Sequence, residues 1–122
     1  MKNIEPVMLV DDNGIDNFVT HKILESCGIT NILEFLSPTR ALDYLRIAKE
    51  PPKLILLDLS MQIMDGFEFL DEFRTLEISK NPIEIIIIST SIDPRDKVKA
   101  KEKNCAGFIE KPLSKEKLLE FI

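Results

Sequence analysis

Cysteine is scarce in this 122-residue chain: Cys27 and Cys105 are its only two, far apart and with no second Cys or His near either. That excludes a disulfide scaffold and a thiolate zinc site, and it points to reduced thiols in a cytoplasm. Histidine occurs once, as His21. In a segment of helical spacing, with no acid or Cys obviously beside it, His21 reads as a partly exposed helix residue rather than a phosphate carrier or a metal ligand. The four glycines, Gly14, Gly28, Gly66 and Gly107, form neither a G-x-G-x-x-G nor a Walker loop, which argues against a flavin or nucleotide site. No apolar run approaches the roughly 18 residues needed to span a bilayer. The polar start, Met1 to Pro6, lacks the apolar stretch of a secretory signal. Positive charge is in deficit, with 16 Lys+Arg against 21 Asp+Glu and a net charge of −5. An acidic surface repels phosphate backbones, so no nucleic-acid partner is expected for this domain.

What remains is the composition of an ordinary soluble globular domain, 44% hydrophobic and 30% charged, and a length that fits one domain over residues 1–122. There is no repeat, linker or low-complexity tract. Apolar runs occur at Pro6–Val10, Ile32–Leu36, Leu54–Leu57, Ile83–Ile88 (interrupted by Glu84) and Gly107–Ile109. The first, third and fourth are nearly continuous, which suits strands buried on both faces of a parallel sheet; the second alternates in part, which suits an edge. Between them lie segments of helical spacing. Ile15, Phe18, Val19 and Ile23 form one stripe, closed by Gly28. Thr39 to Lys49 places Ala41, Leu42, Leu45 and Ala48 on one face, after a Ser37-Pro38 start. Phe67, Leu70 and Phe73 follow Asp65-Gly66. Pro94 to Lys103 is polar, with Val98 as its main apolar residue, and is expected to be weakly anchored. Ser114 to Ile122 carries Leu118, Leu119 and Ile122 and stops abruptly, so truncation in or after the last helix is expected. Five strand–helix repeats imply an α/β sandwich of three layers around a parallel sheet with right-handed crossovers.

The polar residues fall where the strands end. The first run is followed by Asp11-Asp12, the third by Asp58, the fourth by Ser89-Thr90-Ser91 and the fifth by Glu110-Lys111-Pro112. In an open α/β sheet, ligands bind beyond the carboxyl ends of the strands. Carboxylates gathered there need a proton or a cation between them. Oxygen donors without His or Cys favour a hard ion, Mg2+ before zinc. Lys111 would then be free to hold an anion, and a hydroxyl such as Ser89 to donate to it, which describes a phosphoryl-transfer pocket. Each residue also has a plainer reading. Asp11 or Asp12 could cap the helix starting near Gly14, Ser89 could be a loop hydroxyl, and Lys111 a surface lysine. Asp58 resists this, because a solitary acid ending a buried strand is costly unless used.

These residues together resemble the response-regulator receiver domain of two-component signalling. The matching elements are Leu9-Val10-Asp11-Asp12-Asn13, Leu56-Leu57-Asp58-Leu59-Ser60-Met61, Met64-Asp65-Gly66, Ile88-Ser89-Thr90-Ser91 and Gly107-Phe108-Ile109-Glu110-Lys111-Pro112. The resemblance implies a flavodoxin-like (βα)5 fold with strand order 2-1-3-4-5. It implies Asp58 as phosphoacceptor, and Mg2+ on Asp12, Asp58 and the Ser60 carbonyl, with Asp11 acting through water. It further implies Ser89 and Lys111 as the groups that hold the phosphoryl oxygens, a cis bond between Lys111 and Pro112, and Phe108 as the aromatic that turns inward when Ser89 moves. The implied donor is a histidine kinase or histidine phosphotransfer protein, and the implied output a downstream protein; the domain itself is a phosphoacceptor and not an enzyme. The chain departs from the family at Gln62-Ile63, where Pro-Gly often follows the methionine after the acceptor. Two rival readings remain. One is a degenerate receiver that no longer takes phosphate, against which the intact Asp11, Asp12, Asp58, Ser89 and Lys111 set argues. The other is an aspartate-nucleophile phosphatase, which would need a second acid where Ser60 stands.

Overall fold

The five apolar runs pair as strands: β1 (Val7–Val10), β2 (Ile32–Phe35), β3 (Leu54–Asp58), β4 (Glu84–Ser89) and β5 (Gly107–Glu110). The computed structural model describes residues 3–122; Met1 and Lys2, at the head of the polar N-terminal stretch, lie outside them. All neighbouring strands run parallel, in the order β2-β1-β3-β4-β5 expected from the resemblance. Between them run α1 (Gly14–Ser26), α2 (Pro38–Ile47), α3 (Gly66–Arg74), α4 (Pro94–Glu102) and, after β5, α5 (Lys115–Leu119). A short 3-10 turn at Glu77–Lys80 joins α3 to β4.

Period-two alternation divides the core into two layers. Met8, Val10, Ile55, Leu57, Ile85 and Ile87 meet Ala41, Leu42 and Leu45 of α2, Phe69, Leu70 and Phe73 of α3 and Ala100 of α4. On the other face Val7, Leu9, Leu54, Leu56, Ile86, Ile88 and Ile109 meet Leu24 of α1 and Leu118 of α5. The central strands are buried throughout, whereas β2, at the edge, is only partly buried. That is why β1 and β3 are continuously apolar and β2 is not.

Two helices sit differently from their apolar patterns. In α1 the stripe Ile15, Phe18, Val19 faces away from the sheet, with Ile15 75% and Phe18 61% exposed. The buried residues are Asn17, Thr20 and Leu24, and of the expected stripe only Ile23 packs partly against the core. The cause is polar. The Asn17 amide donates from Nδ2 to the carbonyls of Asp11 (3.0 Å) and Phe35 (3.3 Å). A helix rotated to bury Phe18 would take this donor from the Asp11 carbonyl and leave the Phe35 carbonyl with the Asp11 amide alone, at 3.2 Å. In α4 the expected anchor Val98 is 57% exposed and Ala100 is the buried residue. A single alanine holds little apolar area, so α4 is the weakly anchored helix the polar sequence implied.

The cap of α1 is Asn13, whose Oδ1 accepts from the Ile15 and Asp16 amides. Asp11 and Asp12 are thereby left for other work, which removes the helix-cap reading for both. Asp65 caps α3 in a reciprocal capping box with Glu68. Gly66 sits against the end of β3: a Cβ there would lie 2.5 Å from the Asp58 carbonyl oxygen and 3.0 Å from Leu59 Cα. Backbone on both sides cannot yield cheaply. Gly66→Ala is therefore expected to lower stability by about 1–3 kcal/mol in urea denaturation. Gly14→Ala, whose nearest neighbour would be the Leu36 side chain at 3.8 Å, should stay within about 0.5 kcal/mol.

Candidate functional site

Asp11 follows β1, Asp58 ends β3 and Lys111 follows β5. Continuing the alternation, all three point to the α1/α5 face, because each is two residues beyond a residue of that layer: Leu9, Leu56 and Ile109. Ser89 and Phe108 carry the opposite parity and belong to the layer under α4, where Phe108 packs partly buried with the Lys97 ammonium 5.9 Å from its ring. Parallel pairing then aligns the strand ends side by side, with Asp58 opposite Ile88 and Ser89 opposite Glu110.

The Lys111 ammonium lies among the acids. Its Nζ donates to Asp16 Oδ2 at 2.7 Å and to Asp11 Oδ2 at 3.1 Å, and stands 3.3 Å from Asp58 Oδ1. The expectation of a lysine free for an anion supposed a cation among the acids; in this structure the ammonium itself pairs with them. Three converging carboxylates place their nearest positive group among themselves, since an unpaired buried charge is far costlier than a paired one. Asp16 was not singled out from the sequence, because an acid in the first turn of a helix ordinarily serves the helix dipole. Its five-residue spacing from Asp11 became meaningful only once α1 was rotated by Asn17.

Carboxylate oxygens of Asp11, Asp12 and Asp58 all lie within 4.8 Å of one another. Asp58 is buried, and that burial, with the neighbouring Asp11 charge, pushes its pKa up to about 6 against the opposing pull of Lys111. Burial also raises Asp11, although the Asn13 amide and Lys111 oppose it. For Lys111, burial works to lower the pKa, but the bond to Asp16 and the charges of Asp11 and Asp58 outweigh it and the net shift is upward. The donor set is all oxygen and close enough to share one ion, so the residues fit a hard divalent cation such as Mg2+. Ser60, two residues past Asp58, is exposed on the loop that leaves β3.

Ser89 is fully buried. Its Oγ accepts from the Ser91 amide at 3.0 Å, and its carbonyl accepts from the Lys111 amide at 2.7 Å. The Ser91 hydroxyl in turn donates to Asp96 on α4. The Lys111–Pro112 bond is cis, as the resemblance implied. Thus the candidate hydroxyl is tied through backbone to the lysine and through Ser91 to the weakly packed helix.

The β3–α3 loop closes the rim of the site. The Gln62 amide donates to Asp12 Oδ2 at 2.9 Å. Ile63 follows with φ of 70° and is 92% exposed, and the Met64 amide donates back to the Gln62 carbonyl at 2.7 Å. This is a three-residue turn of the rare γ type. A β-branched residue at positive φ costs about 1–3 kcal/mol and persists only where its surroundings hold it. Away from this edge, His21 is partly exposed on α1 as expected. Two acids nevertheless flank it, Glu34 of β2 at 2.6 Å and Glu25 at 3.8 Å. Glu25 was visible one turn along α1; Glu34 comes beside His21 only through the tertiary fold. Cys27 and Cys105 are free thiols.

A family model described as "Response regulator receiver domain" matches residues 7–122. The chain is 31% identical over 112 residues to the sensor histidine kinase CheAY of Helicobacter pylori, covering 92% of this chain and 14% of that protein. It is 31% identical over 117 residues to the probable methanogenesis regulatory protein FilR2 of Methanothrix harundinacea, covering 92% of this chain and 75% of that one. Among solved structures, a two component response regulator from Cytophaga hutchinsonii superposes with a TM-score of 0.84 at 30% identity, covering 94% of this chain and 91% of the other.

The direction of the Asp58 shift sets a pH signature. An acid with a higher pKa folded than unfolded binds its proton more tightly in the native state. Its ionised form therefore destabilises the fold above about pH 6, and the effect vanishes as pH falls through the unfolded value of 3.8. In EDTA, Asp58→Asn is expected to raise the thermal midpoint at pH 7–8, with the gain shrinking between pH 6 and pH 4. A gain that grows on acidification would contradict the burial of an ionised carboxylate at this position.

Proposed function

We propose, because this chain belongs to the response regulator receiver domain family, that Asp58 accepts a phosphoryl group from a histidine kinase or histidine phosphotransfer protein and thereby resets a partner-binding surface. The observation that supports this most is the Lys111 ammonium lying between Asp11 and Asp58 while its own amide holds the Ser89 carbonyl. One lysine thus touches both the acceptor and the backbone carbonyl of the residue whose hydroxyl would report on it.

In the transfer, an Asp58 carboxylate oxygen forms the new bond to phosphorus as the P–N bond of a phosphohistidine breaks, and the electron pair leaves with the imidazole nitrogen. A small acyl phosphate would serve as donor in the same way, its P–O bond breaking instead. Asp12, Asp58 and the Ser60 carbonyl would hold Mg2+ directly, with Asp11 through water; when bound, the ion offsets the repulsion between carboxylate and incoming phosphoryl oxygens. Lys111 exchanges part of its hold on the acids for a phosphoryl oxygen, as a compact point charge. Burial raises the Asp58 pKa to about 6, and the Lys111 ammonium opposes that shift, favouring the ionised carboxylate that attacks.

The aspartyl phosphate adds negative charge and acceptor oxygens at the sheet edge. Ser89 leaves the Ser91 amide to donate to one of them, and Phe108 on the same layer follows into the space. Because Ser91 also holds Asp96, the movement loosens the start of α4, whose one buried residue is Ala100. The surface of α4, the β4–α4 loop and α5 then favours a different downstream partner, a population shift driven by local electrostatics. This makes the domain a cytoplasmic signalling phosphoacceptor that assists its own phosphorylation and slow dephosphorylation.

Incubation with acetyl phosphate and Mg2+ is expected to add one phosphoryl mass to the unsubstituted protein and none to Asp58→Asn; labelling that survives in the variant would move the acceptor elsewhere, and none in either would favour a degenerate receiver. Lys111→Ala should still accept phosphate, more slowly, but lose the amide chemical-shift changes in α4 and β5. Wild-type changes in that variant would remove Lys111 from the coupling.

A further inference from the structure

Position 62 is where the chain departs from the family pattern, and the consequence lies in the backbone. Proline has no N–H to give; Gln62 has one, and it donates to Asp12 Oδ2 at 2.9 Å. Of the three clustered carboxylates, Asp11 and Asp58 are held by Lys111. Asp12 is exposed on the loop after β1, and the bond from Gln62 ties it to the opposite rim of the cleft. The next residue, Ile63, adopts a left-handed conformation with its side chain in solvent, so nothing packed around it demands that shape. The turn is fixed at its ends instead: by Asp12 at Gln62 and, beyond Met64, by the Asp65 capping box that starts α3.

We infer that the backbone N–H of Gln62 is the positioning group for Asp12. It fixes one oxygen of that carboxylate at the rim, so that Asp12 is presented together with Asp11 and Asp58 to a divalent cation. A residue other than proline at 62 is what makes this available, and the side-chain amide of Gln62 plays no part. The inference rests on the receiver reading for the identity of the cation-binding acids. Hydrogen-bond partners that orient a metal-binding carboxylate commonly govern affinity by tenfold or more; Asp12 is exposed, so the lower end of that range applies.

The test is calorimetric titration of the full chain with MgCl2 alone. Gln62→Pro, which deletes the N–H, is expected to weaken Mg2+ binding by about tenfold. Gln62→Ala, which restores it, should bind like the unsubstituted protein, and thermal midpoints in EDTA separate loss of affinity from loss of fold. Equal affinity in the two variants, or equal weakening in both, overturns the inference. A measurement on the unsubstituted backbone covers misfolding of the proline variant: the Gln62 amide should exchange with D2O more slowly than the Ile63 amide, and Asp12→Ala should remove that protection. Unprotected exchange at Gln62 in the intact protein also overturns it. If the unsubstituted protein binds no Mg2+ at millimolar concentrations while Gln62 is still protected by Asp12, the receiver chemistry fails and the backbone clasp stands as structure only.

Discussion

A single ammonium group makes this sheet edge tenable. Asp11 and Asp58 are both buried, and each would repel the other across the end of the sheet. Lys111 reaches both and takes Asp16 of α1 as a third partner. The arrangement compensates the charge without removing the cost of burying it: Asp58 keeps a raised pKa, first because it is desolvated and then because Asp11 lies beside it. A carboxylate in that condition gains from any further cation, and its lysine is already within reach of whatever becomes attached to it.

The rest of the fold serves to bring these groups to one place and to sort them. Strand alternation sends Asp11, Asp58 and Lys111 to the α1/α5 face and Ser89 and Phe108 to the α4 face. The two sets are thus divided by the sheet and joined at its edge through the Lys111 amide and the Ser89 carbonyl. Onward from Ser89 the path runs through Ser91 to Asp96, and it ends in a helix that buries one alanine. Strong packing lies under α2 and α3, where the phenylalanines are; weak packing lies under α4, where local opening costs least.

The loops at the rim are built from backbone more than from side chains. Asn17 sets the rotation of α1 by bonding carbonyls, Gly66 lets α3 start against the Asp58 carbonyl, and Gln62 offers its amide to Asp12. In each case the decisive atom belongs to the main chain, whose use the identity of a residue reveals only in part. A glycine or a missing proline shows that an approach or a donor is available, not where it is spent.

The amino-acid sequence by itself determined the parallel sheet, its five strands and the acids, hydroxyl and lysine at their carboxyl ends. Continuous apolar runs have one economical burial, and polar residues just past them can only collect at the sheet's edge. The face that α1 turns inward, the exposure of Val98, the partnership of Asp16 with Lys111 and the acid beside His21 were decided by the tertiary structure. A helix with apolar residues on two sides has no intrinsic reason to choose between them. The choice was made by the carbonyls of Asp11 and Phe35, which stand within reach of one Asn17 amide only after β1 and β2 have paired.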